Sequence, residues 1–333
     1  METKKKVELP LLEPIYSTYH NQGPGSAVLT ENPSIRNWFL NQAAILFCNR
    51  KFLKGFTTPE ISVLLSLWSD NPYFHKQWYN VRYLMEQVHY VIKHLLDDGY
   101  YVCFNEVDDY YVEGKSWYQE EHFSHDGCIC GYDEENETYC IYAYDRNWVY
   151  RKFWTPQKSF HEGLQAQFDK NAFGYICGIK PRLEQVEFSS TIALDKITQY
   201  LDSTIEKYPE NGEGTVFGIV VHDYIAKYIY KLSDGSIPYE RMDRRIFRLI
   251  WEHKKAMLER IRLIESELLL DNDISESYQK VVQEANDARM LYAAHRMTRR
   301  DSVLPVIREK LLHLKSIEQD LLETLLAKAK EEK

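Results

Sequence analysis

The sequence predicts an α+β fold followed by a helical domain, and three observations carry that expectation. Apolar residues recur at helical spacing through the first hundred or so positions. Short aromatic and β-branched runs take over from Tyr100 to about residue 180. Beyond about residue 215 the chain is filled by long amphipathic helices. Helices first and antiparallel strands afterwards define the α+β pattern, and the boundary falls near residue 190, with 1–190 the α+β domain and 191–333 the helical one.

After an irregular start containing Asn21-Gln22-Gly23-Pro24-Gly25-Ser26, a helix is expected at Asn32-Pro33-Ser34, with Asn32 as N-cap and Pro33 in the first turn. It is read through Ile35, Trp38, Phe39, Ala43 and Leu46 towards Cys48. Thr58-Pro59-Glu60 opens a second helix through Leu65 and Trp68. A third covers 81–96 and stops before Gly99. Strands follow at 100–105 and 110–112, then a hairpin, then 149–154 and 173–179. Helices are expected at 194–208, 217–230, 239–270, 275–298 and 302–330, with 210–214 an exposed loop.

The hairpin is the most informative stretch. Two runs, His122-Phe123-Ser124-His125-Asp126-Gly127-Cys128-Ile129-Cys130-Gly131-Tyr132-Asp133 and Thr138-Tyr139-Cys140-Ile141-Tyr142-Ala143-Tyr144-Asp145, flank the polar tetrad Glu134-Glu135-Asn136-Glu137. With the turn centred at 135 and 136, residues whose numbers sum to about 270 oppose each other, which sets His125 against Asp145. A carboxylate there would fix the imidazole tautomer, giving two members of a catalytic triad; a surface ion pair is the plain alternative. Ser34, at a helix N-terminus where local potential favours a developing anion, is the candidate nucleophile.

Composition bounds the rest. Forty-four per cent hydrophobic and 27% charged residues describe a globular chain. Neither a secretory signal nor a membrane-spanning run is read, so the expected compartment is the cytoplasm. A net charge of −9 argues against nucleic acid as a partner. The six cysteines lack a repeated CxxC spacing, and Cys128 and Cys130 are expected to be buried hydrophobes. His122 and His125 point to opposite faces of a strand, so shared metal ligation would need a bend; no metal and no cofactor are expected. The carboxylates Glu106, Asp108 and Asp109 either recognise an amino substrate or are simply solvated.

Asp108-Asp109-Tyr110-Tyr111-Val112, Tyr118, His122-Phe123-Ser124-His125 and Gly131-Tyr132-Asp133 resemble the butirosin-biosynthesis acyltransferase family, a papain-like group related to bacteriocin-processing peptidases. The stretch from Asp243 to Met257 resembles helical regions of proteins from secondary-metabolite clusters. The resemblance implies a papain-like α+β domain and acyl or aminoacyl transfer from a carrier-protein thioester, on an acyl or peptidyl carrier protein, to an amine-bearing small molecule. His125 would match the general base and Asp145 its orienting acid, while Asp108, Tyr111 and Tyr118 are the candidate substrate-binding residues. Where the family places its cysteine, this chain has Asn32-Pro33-Ser34-Ile35. Either Ser34 replaces the thiol, or Cys48 attacks from fourteen residues further on, or the fold binds without covalent chemistry. Cys48 would sit at the helix C-terminus, the wrong end for a thiolate.

Overall fold

A computed structural model describes residues 4–11, 13–19, 33–54, 58–64, 71–169, 174–182, 184–203 and 214–332. In chain order the elements are strand β1 (Lys6–Glu8), helix α1 (Pro33–Gln42), strands β2 (Leu46–Asn49), β3 (Ser62–Val63) and β4 (Phe74–Asn80), and helix α2 (Val88–Asp97). Strands β5 (Tyr101–Asp108), β6 (Ser124–Asp133), β7 (Thr138–Tyr144) and β8 (Tyr150–Pro156) follow, then helix α3 (Gln157–Asp169), strand β9 (Tyr175–Pro181), helix α4 (Ser190–Asp202) and strand β10 (Thr215–Phe217). Helices α5 (Val221–Ser233), α6 (Ile246–Leu268), α7 (Asp273–Thr298) and α8 (Val303–Glu331) close the chain. The fold is α+β. Among the described residues no helix is long and apolar enough to cross a membrane.

Two compact units form, Met1–Arg36 with Ser66–Val186, and Asn37–Leu65 with Glu187–Lys333. The first is built on an antiparallel sheet of order β4-β9-β5-β6-β7-β8, with β1 added beside β6. Its core joins Val102, Phe104, Ile129, Ile141 and Ile176 to Ile92 and Leu95 of α2 and to Phe160 and Leu164 of α3. Val88, Ile92, Leu95 and Leu96 lie at helical spacing on one face of α2 and are all buried, each contributing about 1.5–3 kcal/mol through removal from water. The helix ends at Asp97, just before Gly99, whose φ of +81° favours glycine. The expected hairpin is present: Cys128 faces Tyr142 and Ile129 faces Ile141, on the predicted sum. A bulge between Ile129 and Gly131 then shifts the register by one.

In the second unit α6 packs on α7, α7 on α8 and α5 on α8, beside a small sheet of order β10-β2-β3. Residues 37–65, read from sequence as part of the first domain, cluster here. The carbonyls ending α1 explain why: Arg260 donates from Nε to Leu40 O at 2.6 Å and from Nη2 to Ala43 O at 2.8 Å, and His253 Nε2 lies 2.8 Å from Ala44 O. A cation at a helix C-terminus satisfies orphan carbonyls and opposes the helix dipole.

Several expected elements are corrected. The first helix ends at Gln42, and Cys48 lies on β2 because Leu46–Asn49 pairs with both β3 and β10. The segment opening at Thr58 is extended, with Asn49 N donating to Pro59 O and Leu64 N to Ile45 O. Residues 81–87 form 3-10 turns that precede α2. Residues 110–112 form a turn rather than a strand. Asn32, Leu65, Trp68, Phe173, 204–208 and the loop at 210–213 lie outside the described residues.

Candidate functional site

The site grows from the end of β5. Between Phe104 and Val107 the pairing with β6 shifts, with Glu106 at φ +54°, and beyond this bulge Val107 faces His125 and Asp108 faces Ser124. Bulges re-aim the strand that follows them. Behind the strand end, Gly163 of α3 lies so close that a Cβ there would sit 2.8 Å from Asp108 O, so only glycine lets the helix approach. Asp109 N donates to Phe123 O, which ties the turn to the entry of β6.

Two successive aspartates then each hold one histidine. Asp108 Oδ2 takes the Nδ1–H of His122 at 2.9 Å, while its Oδ1 accepts from the backbone N–H groups of Tyr110 and Phe123, both at 3.2 Å. Asp109 Oδ2 takes the Nδ1–H of His125, and its Oδ1 lies 3.3 Å from Lys115 Nζ. Asp109 and Lys115 are 1% and 2% exposed, whereas the His125 side chain retains 22% exposure. A buried carboxylate needs a countercharge, and Lys115 supplies one without occupying the oxygen that orients the imidazole. With Nδ1 donating to Asp109, Nε2 is the basic nitrogen of the neutral ring.

Aromatic rings wall the cluster. Tyr110 stacks on His122 with centroids 4.3 Å apart, Phe123 lies 4.5 Å from His125, and Trp117 lies 6.2 Å from Phe123 and 5.8 Å from Trp148. Gly114, at φ +95°, bends the Lys115 loop, and its carbonyl accepts from Arg146 N at 2.7 Å. Asp126 is raised from its ordinary value, first by burial and then by the charge of Glu106.

The other expected residues fall as follows. Asp145 closes its own turn rather than pairing across the hairpin: β7 ends at Tyr144, and Asp145 Oδ1 accepts from Asn147 N and Val149 N at 2.8 and 2.9 Å. Its Oδ2 holds Arg151 at 2.5 Å. Burial raises the Asp145 pKa, but the two backbone donors and Arg151 outweigh it and hold the group below its ordinary value. Ser34 is the second residue of α1 and is 4% exposed. Asp108 is fully buried as the His122 partner, Tyr111 lies 5.8 Å from His122, and the Tyr118 hydroxyl accepts from Gln119 at 3.3 Å. All six cysteines are buried, and burial pushes the Cys48 thiol up to about 12.

The sequence reading missed Asp109 as the orienting acid and Lys115 as its countercharge. The available signal was the spacing of Asp108-Asp109 from His122 and His125, which a β5–β6 pairing satisfies as simply as the hairpin seemed to satisfy Asp145. Among the described residues no group of three or more His, Cys, Asp or Glu side chains is arranged to hold a metal ion. No family model matches this chain, and no curated protein does either.

Proposed function

We propose that the chain is a papain-like acyltransferase that moves an acyl or aminoacyl group from a carrier-protein thioester to an amine in specialised-metabolite biosynthesis, in the cytoplasm. The observation that supports this reading is the Lys115–Asp109–His125 arrangement: a buried, charge-balanced carboxylate holding a partly exposed imidazole in one tautomer. Ser34 is the proposed acyl carrier. His125 Nε2 takes the Ser34 Oγ proton as Oγ bonds to the thioester carbon. The carbon–sulfur bond breaks, and the departing thiolate takes that proton from the imidazolium. The acceptor amine then attacks the ester, the carbon–Oγ bond breaks, and the amine's proton passes through His125 back to Oγ.

The test is intact-protein mass spectrometry after incubation with small acyl thioesters, together with amide formation, in wild type, Ser34→Ala and His125→Ala. An acyl adduct absent from Ser34→Ala supports the serine route. Turnover at the wild-type rate in His125→Ala would remove His125 as the base. One observation favours a second reading, a binding protein on the same scaffold: every thiol is buried, so the cysteine that papain-like enzymes use has no counterpart here. Absence of both adduct and turnover across the thioester panel is the outcome that reading expects.

A further inference from the structure

One end of the helical unit carries charge of the opposite sign to the chain. Leaving out Lys254, which is buried against Glu318, residues 239–255 and 287–301 hold nine Lys and Arg against five Asp and Glu, in a chain whose net charge is −9. Tyr239 knits the two segments together: its hydroxyl donates to Arg296 O, and Arg299 lies over its ring at 4.5 Å. Further along, Trp251 of α6 has Lys255 4.6 Å and Arg289 4.7 Å from its ring centroid.

The placement brings like charges together. Arg244, Arg245 and Arg248 stand at the positive pole of α6, whose first turn has no acidic residue. Of the five acids, Asp243 and Glu252 are buried under Arg245 and Arg248, Asp287 lies 3.9 Å from Lys310, and Glu240 and Asp301 are exposed. Partial burial, then the charge of Arg296, lowers the Arg244 pKa; burial, then Arg248, does the same to Arg289. An anion docked here would relieve this repulsion. From Ile246 to Lys255 the start of α6 is about 14 Å long, more than a single phosphate needs and long enough to meet several carboxylates of a protein surface.

We propose that this arginine-rich end, where the start of α6 meets the last turns of α7, is a docking surface for the acidic face of a partner protein. Resting on the acyl-transfer reading for its identity, that partner is the carrier protein bearing the thioester.

The test measures fluorescence anisotropy of a labelled poly-glutamate peptide on the full chain, with inorganic phosphate and an oligonucleotide as competitors. Arg244→Glu with Arg296→Glu is expected to weaken peptide binding about tenfold or more, and Arg300→Glu, at an exposed position, to weaken it less. Lys158→Glu in the other unit should leave it unchanged. Equal affinity in wild type and the Arg244→Glu, Arg296→Glu variant overturns the proposal if circular dichroism shows that variant folded. In an unfolded double variant, the same comparison is made with Arg300→Glu. Tighter binding of phosphate or oligonucleotide than of peptide also overturns it. Turnover of small acyl thioesters, which needs no docking, separates the two readings: the docking variants should retain it. Peptide binding without any turnover in wild type upholds the surface and removes only the partner's identity.

Discussion

Each unit buries a lysine against a carboxylate beside a histidine, and the two sets differ in access. In the sheet unit Lys115 and Asp109 lie beneath His125, whose ring reaches the surface. In the helical unit Lys254 donates to Glu318 at 2.6 Å and to the Tyr200 hydroxyl at 3.0 Å, and Tyr278 donates to the other Glu318 oxygen. There His222 Nε2 lies 3.9 Å from Glu318, and His222, Lys254 and Glu318 are all 0% exposed. An ammonium, a carboxylate and an imidazole therefore yield a proton-transfer candidate where one member meets solvent, and a packing device where none does. A sealed network holds its helices in one arrangement because every alternative strands a charge.

Glu318 is the most vulnerable residue of the two clusters. Glu318→Ala strands a buried ammonium and two tyrosine hydroxyls, and urea denaturation should show a loss of about 3–5 kcal/mol. Lys254→Met with Glu318→Leu, which removes both charges together, should cost far less. A loss under about 1 kcal/mol in the single variant would show that water reaches the network, and the contrast with His125 would go. The next effect is kinetic. His125→Ala should lower turnover by about 10²–10⁴ while stability moves within about 1 kcal/mol, since its ring is partly exposed. A large stability loss without a kinetic one would reverse the assignment of the two clusters.

A smaller effect is read in pH. Burial, with Lys254 close by, holds His222 and His253 well below the ordinary histidine value. Below about pH 6.5 the unfolded chain therefore binds protons that the native histidines refuse. Stability should fall as pH drops through about 6.5, and denaturation midpoints across that range measure it; a flat profile would mean that neither histidine is neutral for reasons of burial. The smallest effect belongs to Asp145. Its lowered pKa contributes stability that is present above the ordinary carboxylate value and lost as pH falls through the native one. Arg151→Ala, removing a half-exposed partner, should narrow that loss by under about 1 kcal/mol in acid titrations.

Local pattern carried much of the fold. The 275–298 and 302–330 helices follow from apolar periodicity, and the hairpin register from its polar turn. What stayed hidden depended on partners distant in sequence. The run Ala43-Ala44-Ile45-Leu46-Phe47-Cys48 is apolar throughout, so periodicity alone could not stop a helix there; β10, arriving from residues 215–217, makes it a strand. The candidate site was half legible for the same reason. His125 was found from the hairpin, yet its carboxylate comes from the turn that follows β5, and the bulge at Glu106 that aims Asp109 leaves no mark in composition.

The buried thiols give this chain a built-in clock. Cys103, Cys128 and Cys177 face one another across the three central strands β5, β6 and β9, and Cys48 sits alone in the helical unit. A thiol reagent added under native conditions must wait for each unit to open, so mass spectrometry of the time course would count openings of the sheet and of the helical unit separately. The order in which Cys48 and the sheet thiols become labelled would rank the two units by opening free energy without any denaturant.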